Sequence, residues 1–506
     1  MTRTTLARCL ALSTATVLLL AGCAQDTPEK QEPTAPAARV ATPTEVPDLT
    51  WKPCQDKDLK GLECATLEVP MDADKPDLGT ATLALSRRVH RGDKSRGVLV
   101  ALQGGPGLPG RGLPLALSEM SDVISSYDIV AFDPRGVGAS TPTVACDSKQ
   151  GRQPDAEPTT PAGLAAWDRV IRSYVDSCVE KTDNPALLEH MSTYDVAIDV
   201  DTIRRALGAD KVTTWGTSYG TYLGQMHASL FPDTLDKMLL DSVVDPAVVW
   251  PEFPTFQAAA IEGGLTRFYE YLAAHPQSFS LGSTADEVAQ KVTAARERLG
   301  RSPLGPLTQE KFDAGLTTAS YGVHLWPIIG MGLDQVINDH EGRYFEFSPA
   351  PDADPWPGWL GVVCGQTDFP TLETMVEEAK PTARKAPMRT WGSIFWAAPC
   401  TVWPTEPGPE PEITGTTQAP ILLVSETYDA ASPISGAYAA RRTFPTASLV
   451  EGKDGVTHSS ATGATGCLGD VIDDFMRDGT VPKRIDGDNV SDARCPGVKA
   501  PEPLKH

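Results

Sequence analysis

Positive charge is scarce in this sequence. Its 506 residues carry 44 Lys and Arg against 66 Asp and Glu, a formal net charge of −22. A surface of that sign repels phosphate, which excludes nucleic acid as a partner. Histidine is also scarce, at eight residues, and no Cys-x2-Cys pair or cysteine–histidine cluster occurs, so a structural zinc site is not expected. No internal repeat recurs at solenoid or propeller periods. The apolar run at the N terminus, "CLALSTATVLLLAG", is too short for a comfortable membrane span.

That run follows Arg3 and Arg8 and ends in Leu20-Ala21-Gly22-Cys23. Residues 1–22 therefore read as a cleaved signal peptide. The pattern resembles the bacterial lipobox, in which the new N-terminal cysteine, here Cys23, carries a lipid. An ordinary signal peptide with a chance cysteine is the alternative. Residues 23–48 are rich in Pro, Thr, Ala and Glu and lack apolar periodicity, so they form no core and are expected to be a flexible tether. Extended, it reaches roughly 75 Å. The expected location is outside the cell membrane, held there only by lipid, or released. Export changes the cysteine arithmetic. Eight cysteines remain in the mature chain: Cys54, Cys64, Cys146, Cys178, Cys364, Cys400, Cys467 and Cys495. An even number in an oxidising compartment points to four disulfides. Sequence does not fix their connectivity; pairing of sequence neighbours is the working expectation.

The stretch after the tether alternates apolar strands with helices. "TATLALSRRV" (80–89) partly alternates, as an antiparallel edge strand would. "VLVAL" (98–102) and "DIVAF" (128–132) are unbroken apolar runs ended by Gly, Pro or Asp, as in strands buried on both faces. "STYDVAIDVDTIRRALGAD" (192–210) has helical periodicity, with a capping Ser192 or Thr193 and a terminal Gly208. "KVTTW" (211–215) and "KMLLD" (237–241) read as strands flanking a helix at 219–231. This alternation predicts an α/β fold with a mostly parallel central sheet and helices on both faces. From 247 to 416 the pattern becomes helical and rich in Trp and Pro, an inserted cap. "PILLVSETYD" (420–429) returns to the sheet, and "ASLVEGKDGVTH" (447–458) reads as its last strand and loop. The catalytic domain is thus expected in two parts, 49–246 and 417–506.

Sites in such sheets lie at the carboxyl ends of strands. There, Gly216-Thr217-Ser218-Tyr219-Gly220 stands between a strand and a helix. Gly-x-Ser-x-Gly arises by chance roughly one time in five in a chain this long, so context decides. A turn tight enough to expose a nucleophilic serine needs neighbours without a Cβ, and both glycines meet that need. A helix cap alone would not require both. Ser218 needs a base, and the base an orienting acid. Of the histidines, His458 is the one that follows a late strand in a Gly-containing loop. Asp429, after the strand 420–426, is the expected acid; Glu426, at the end of that strand, is the poorer one. The oxyanion donors expected are the N–H groups of Tyr219 and of Gly105 in Gly104-Gly105-Pro106-Gly107.

With "GGPG" (104–107), "DPRGVGAS" (133–140), "WGTSYGTYLG" (215–224), "DSVVDP" (241–246), Asp429 in "YDAASP" and His458, the chain resembles the prolyl aminopeptidase and tripeptidyl aminopeptidase family of the α/β-hydrolase fold. Gln103 stands where relatives often have His, and Thr457 and Ser459 flank His458 where relatives often have Gly. The resemblance implies a secreted serine peptidase, without metal or cofactor, that releases short peptides, tripeptides above all, from a free N terminus. Recognition of the amine would then fall to cap carboxylates, with Glu252, Glu262 and Glu341 as candidates. A carboxylesterase or other ester or amide hydrolase could use the same triad, and an inert binding protein could use the same scaffold. Because His458 acts as a neutral base, activity is expected to fall below about pH 6.5. The oligomeric state is left open.

Overall fold

The computed structural model describes residues 42, 46–72, 74–154, 158–339, 341–342 and 355–504. The leader, Cys23 and nearly all of the tether lie outside the described residues. One ten-stranded sheet runs through the molecule: β1 (Lys52–Pro53), β2 (Glu63–Pro70), β3 (Thr80–Arg88), β4 (Val98–Leu102), β5 (Asp128–Asp133), β6 (Val212–Thr217), β7 (Leu235–Asp241), β8 (Ile421–Glu426), β9 (Ala447–Lys453) and β10 (Ala493–Pro496), in the order β1-β2-β3-β5-β4-β6-β7-β8-β9-β10. The pairs among β1, β2, β3 and β5 are antiparallel. From β5 onward every pairing is parallel. This is the α/β-hydrolase fold.

The unbroken apolar strands are explained by two covered faces. Val100 and Leu102 of β4 join one core with Val130, Phe132 and Leu240, beneath the helices Thr193–Ala206 and Tyr219–Leu230. Leu99 and Ala101 point the other way, into a core with Ile129, Trp215, Leu422 and the helix Gly466–Asp478. Each such buried aliphatic side chain contributes about 1.5–3 kcal/mol relative to exposure.

Two strand expectations need correction. β3 is not an edge, because β1 and β2 extend the sheet beyond it, and Leu83 and Leu85 are fully buried. β9 is not last, because β10 pairs parallel to it, with Cys495 bonded to Cys467. The eight cysteines pair as sequence neighbours: 54–64, 146–178, 364–400 and 467–495. Among the described residues no helix is long and apolar enough to cross a membrane.

Between β7 and β8 the chain is helical, but its packing divides. The helices Phe253–Ala274, Ala285–Arg301, Gln309–Tyr321 and Trp326–Asp334 enclose a core of their own around Leu265, Phe268, Leu316 and Trp326. The helices Trp356–Cys364, Leu372–Ala383 and Thr390–Ala397 instead join the core of the sheet, with Trp356, Leu360 and Phe395 against Trp167, Tyr174 and Met191. The second group is therefore part of the scaffold. It touches the loop after β4 closely: a Cβ on Gly107 would lie 2.4 Å from the Trp359 nitrogen, so neither Gly107 nor the facing Gly358 leaves room for a side chain.

Candidate active site

β4 is where the chain switches sides: β5 lies on one side of it and β6 on the other. The loops after β4 and β6 consequently leave the sheet side by side, the position where open α/β sheets bind ligands. Ser218 follows β6 directly, with φ 56° and ψ −125°, a conformation that side-chain-bearing residues rarely adopt. A Cβ on Gly216 would sit 2.4 Å from the Gly220 carbonyl oxygen, and one on Gly220 would sit 2.1 Å from the Leu102 carbonyl oxygen. The two glycines are thus required by the turn and by its packing on β4. The Ser218 N–H donates to the Asp241 carbonyl at 2.9 Å, and the Ser218 carbonyl accepts from the Thr221 N–H and hydroxyl. The hydroxyl is left in front of the helix Tyr219–Leu230.

Asp429 and His458 meet at the ends of β8 and β9. His458 Nδ1 lies 3.0 Å from both Asp429 oxygens. Asp429 is almost fully buried, and its Oδ1 also accepts the N–H groups of Ala431 and Ser432 at 2.9 Å. With Nδ1 engaged, Nε2 is the nitrogen available to a hydroxyl. The imidazole packs edge-on against Tyr321, with ring centroids 5.5 Å apart, and the His458 N–H donates to the Tyr321 carbonyl. Burial disfavours the imidazolium, but the charges of Asp429 and Asp241 outweigh it, so the His458 pKa stands above its ordinary value.

The end of β7 joins the two halves of this site. Asp241 holds the serine turn through its carbonyl, and its Oδ2 accepts the Ala461 N–H at 3.0 Å. The next residue, Ser242, accepts the Ser459 N–H at 2.7 Å through its hydroxyl. From β8, Glu426 Oε2 accepts the Thr457 N–H and Oε1 accepts the Val498 N–H. Backbone donors on either side of His458 are therefore fixed by side chains from two adjacent strands. Burial pushes both carboxyls up to about 7. Sequence reasoning missed Asp241 altogether and set Glu426 aside; "DSVVDP" was legible as a motif, but the side-chain partner of its first residue, Ala461, is 220 positions downstream.

The loop after β4 presents Gly105 with φ 116°. Gln103 braces this loop: its Oε1 accepts the Gly104 N–H at 2.8 Å and its Nε2 donates to the Pro109 carbonyl. The Gly104 donor is thereby occupied. Gly104 itself packs on the serine, since a Cβ there would be 3.1 Å from the Ser218 Cβ. The "DPRGVGAS" loop supports the far end, where Asp133 accepts the N–H groups of Gly110, Arg111 and Ala139. Tyr219 is the first residue of the elbow helix, so its N–H belongs to the helix end that has no internal acceptor. Its buried hydroxyl pairs with Thr193 at 2.9 Å.

Comparison with known proteins agrees with this geometry. Residues 97–314 match the alpha/beta hydrolase fold family, and residues 386–495 match the family described as TAP-like protein. Over 482 residues the chain is 30% identical to the tripeptidyl aminopeptidase of Streptomyces coelicolor, covering 90% of this chain and 87% of that one. The chain belongs to the tripeptidyl aminopeptidase family. It is a serine hydrolase of the α/β-hydrolase fold. It is also 28% identical to the serine protease Hip1 of Mycobacterium tuberculosis, over 88% of this chain and 92% of that one. A protein named carboxylesterase B from the same organism is 28% identical over 92% of this chain and 93% of its own length.

One space borders the site of this family member, and a second shares lining residues with it. A cavity of about 270 Å³ is lined by Gly105 and Tyr321 together with Phe253, Trp359, Ser393 and Trp396. A wider cleft of about 710 Å³, walled by Trp167, Trp356, Trp391 and Phe395, shares Arg389 and Trp396 with it. Volumes of this size suit small ligands. The three carboxylates expected at the substrate amine line neither space. Glu252 is exposed at the start of the helix Phe253–Ala274 and faces a separate groove with Val249 and Phe256. Glu262 is half-buried among Met388, Arg296 and Asp313, and Glu341 is exposed. Helical periodicity could not tell which side of the Phe253–Ala274 helix would turn toward β8, and so could not place Glu252 and Glu262.

Proposed function

We propose that the chain is a serine exopeptidase that releases short peptides, principally tripeptides, from a free N terminus. Ser218 attacks the scissile carbonyl while His458 Nε2 takes its proton. Asp429 holds the Nδ1–H tautomer and stabilises the imidazolium that forms. The N–H groups of Tyr219 and Gly105 receive the developing oxyanion. The same histidine then gives its proton to the leaving amine, and water releases the acyl group by the reverse path. The observation that carries this reading is the strained serine turn, anchored to the Asp241–Ser242 corner that also fixes the His458 loop. Similarity to the tripeptidyl aminopeptidase and to the serine protease Hip1 supports peptides over esters. Export with lipidation at Cys23 is part of the proposal, and the four disulfides accord with an oxidising compartment.

The test compares a tripeptide anilide, its N-acetylated form and a nitrophenyl ester. An exopeptidase cleaves the first and loses most of its rate on acetylation. Preference for the ester would favour the second reading, a carboxylesterase, which the similarity to carboxylesterase B keeps in view.

A further inference from the structure

The cavity against Gly105 and Tyr321 is lined by a cation and no carboxylate. Arg389 precedes the helix Thr390–Ala397, and Ser393 follows four residues later, so both stand on one face of that helix. Ser393 is buried, and its hydroxyl has no hydrogen-bond partner. The Arg389 Nε is buried and equally without one. The titratable neighbours of the guanidinium are Asp313 and Tyr321, a neutral phenol that lies against the His458 ring. Asp313 is already taken, since Arg296 Nε lies 2.9 and 3.0 Å from its two oxygens. Burying a guanidinium Nε–H and a hydroxyl with these donors unmet is costly unless a ligand completes them. Two convergent donors of this kind, one a planar cation, match a carboxylate. Position adds to the chemistry: Arg389 lines both the cavity and the wide cleft, so a ligand in either space meets it.

We propose that Arg389, assisted by Ser393, binds a carboxylate of the peptide substrate and makes the enzyme selective for substrates that carry one near the scissile bond. The peptide part rests on the exopeptidase reading above; the carboxylate part does not. The carboxylate is either an acidic side chain or the C-terminal group of a short peptide.

Two arms separate these sources. One compares tripeptide anilides that differ only by Glu against Gln. The other compares tetrapeptide free acids with their C-terminal amides. In one arm the carboxylate form should have kcat/KM about ten- to hundredfold higher. Arg389→Gln should remove that preference, mainly through KM, while the neutral substrate stays within about twofold. Ser393→Ala should remove part of it. A merely structural arginine would instead lower both members of a pair alike. Fluorophosphonate labelling of Ser218 and the melting temperature report whether each variant is folded; if Arg389→Gln is not, the wild-type comparison and Ser393→Ala decide. Equal rates for both members of both pairs in the wild type, or an undiminished preference in Arg389→Gln, would overturn the proposal. Nitrophenyl hemisuccinate against nitrophenyl acetate repeats the test without a peptide. A preference there, combined with indifference to N-acetylation of peptides, would sink the exopeptidase reading and leave the carboxylate site standing.

Discussion

At the scale of single residues, the proposed chemistry concentrates on one hydroxyl and one imidazole. Ser218→Ala removes the nucleophile without disturbing the turn, and kcat should fall at least about a thousandfold with the fold intact by circular dichroism. The acid limb of the rate profile tests the histidine. His458 is an effective base only when neutral, and its pKa is raised by Asp429 and Asp241 against the opposing effect of burial. The rate should therefore decline, as pH is lowered, at a value above the ordinary 6.5 and not below it. A flat kcat/KM between pH 5 and 8 would remove His458 from the mechanism. Ser218, Asp429 and His458 could be proposed from sequence because each sits in a local signature: two glycines around a serine, an acid just past a buried strand, a histidine in a late loop. Arg389, Tyr321 and Asp241 could not. Their significance comes from what faces them across the fold, and no local pattern records it.

Among elements, the loop carrying His458 matters most. Its backbone is held at Thr457 by Glu426, at Ser459 by Ser242 and at Ala461 by Asp241. Glu426→Ala should free one side of the loop, reducing kcat about tenfold or more while KM changes little, because misplacing the base harms the chemical step. Stability should respond to pH through the same carboxyls. Their folded pKa values, about 7, lie above those of the unfolded chain, so their contribution is fully present at low pH and is lost as pH rises through 7. The melting temperature of Asp241→Asn relative to wild type should accordingly improve between pH 5 and pH 8; a constant difference would show that Asp241 does not titrate in that range. The buried strands were readable from their unbroken apolar runs. β2, which alternates exposed and buried residues, was passed over, and it is the strand that removes β3 from the edge. β10 is four residues long and has no apolar run to announce it.

Over the whole molecule, the α/β-hydrolase architecture followed from the order of apolar runs, glycine turns and helical stretches. The internal division of the long helical segment did not. Trp-rich helices look alike whether they enclose their own core or add to another, and contacts such as Gly107 on Gly358 exist only once the chain has folded. The disulfide Cys364–Cys400 closes a 36-residue separation within the part that joins the scaffold. Replacing both cysteines by serine should cost about 4 kcal/mol by the loop-entropy relation, read as a lower denaturant midpoint with a slope no smaller than before, because the freed unfolded chain exposes more surface. Buried ion pairs act over similar distances. Arg135 on the loop after β5 is paired with Asp199 at 2.6 Å, both fully enclosed, and Asp199→Ala would strand that cation at a cost of about 3–5 kcal/mol.

The most direct measurement is mass-spectrometric mapping of products from a mixed peptide library, with Ser218→Ala in parallel. The account predicts three-residue fragments cut from free N termini, absent when those termini are acetylated and absent with the variant. Internal cleavage of the peptides, or release that persists in Ser218→Ala, would contradict it.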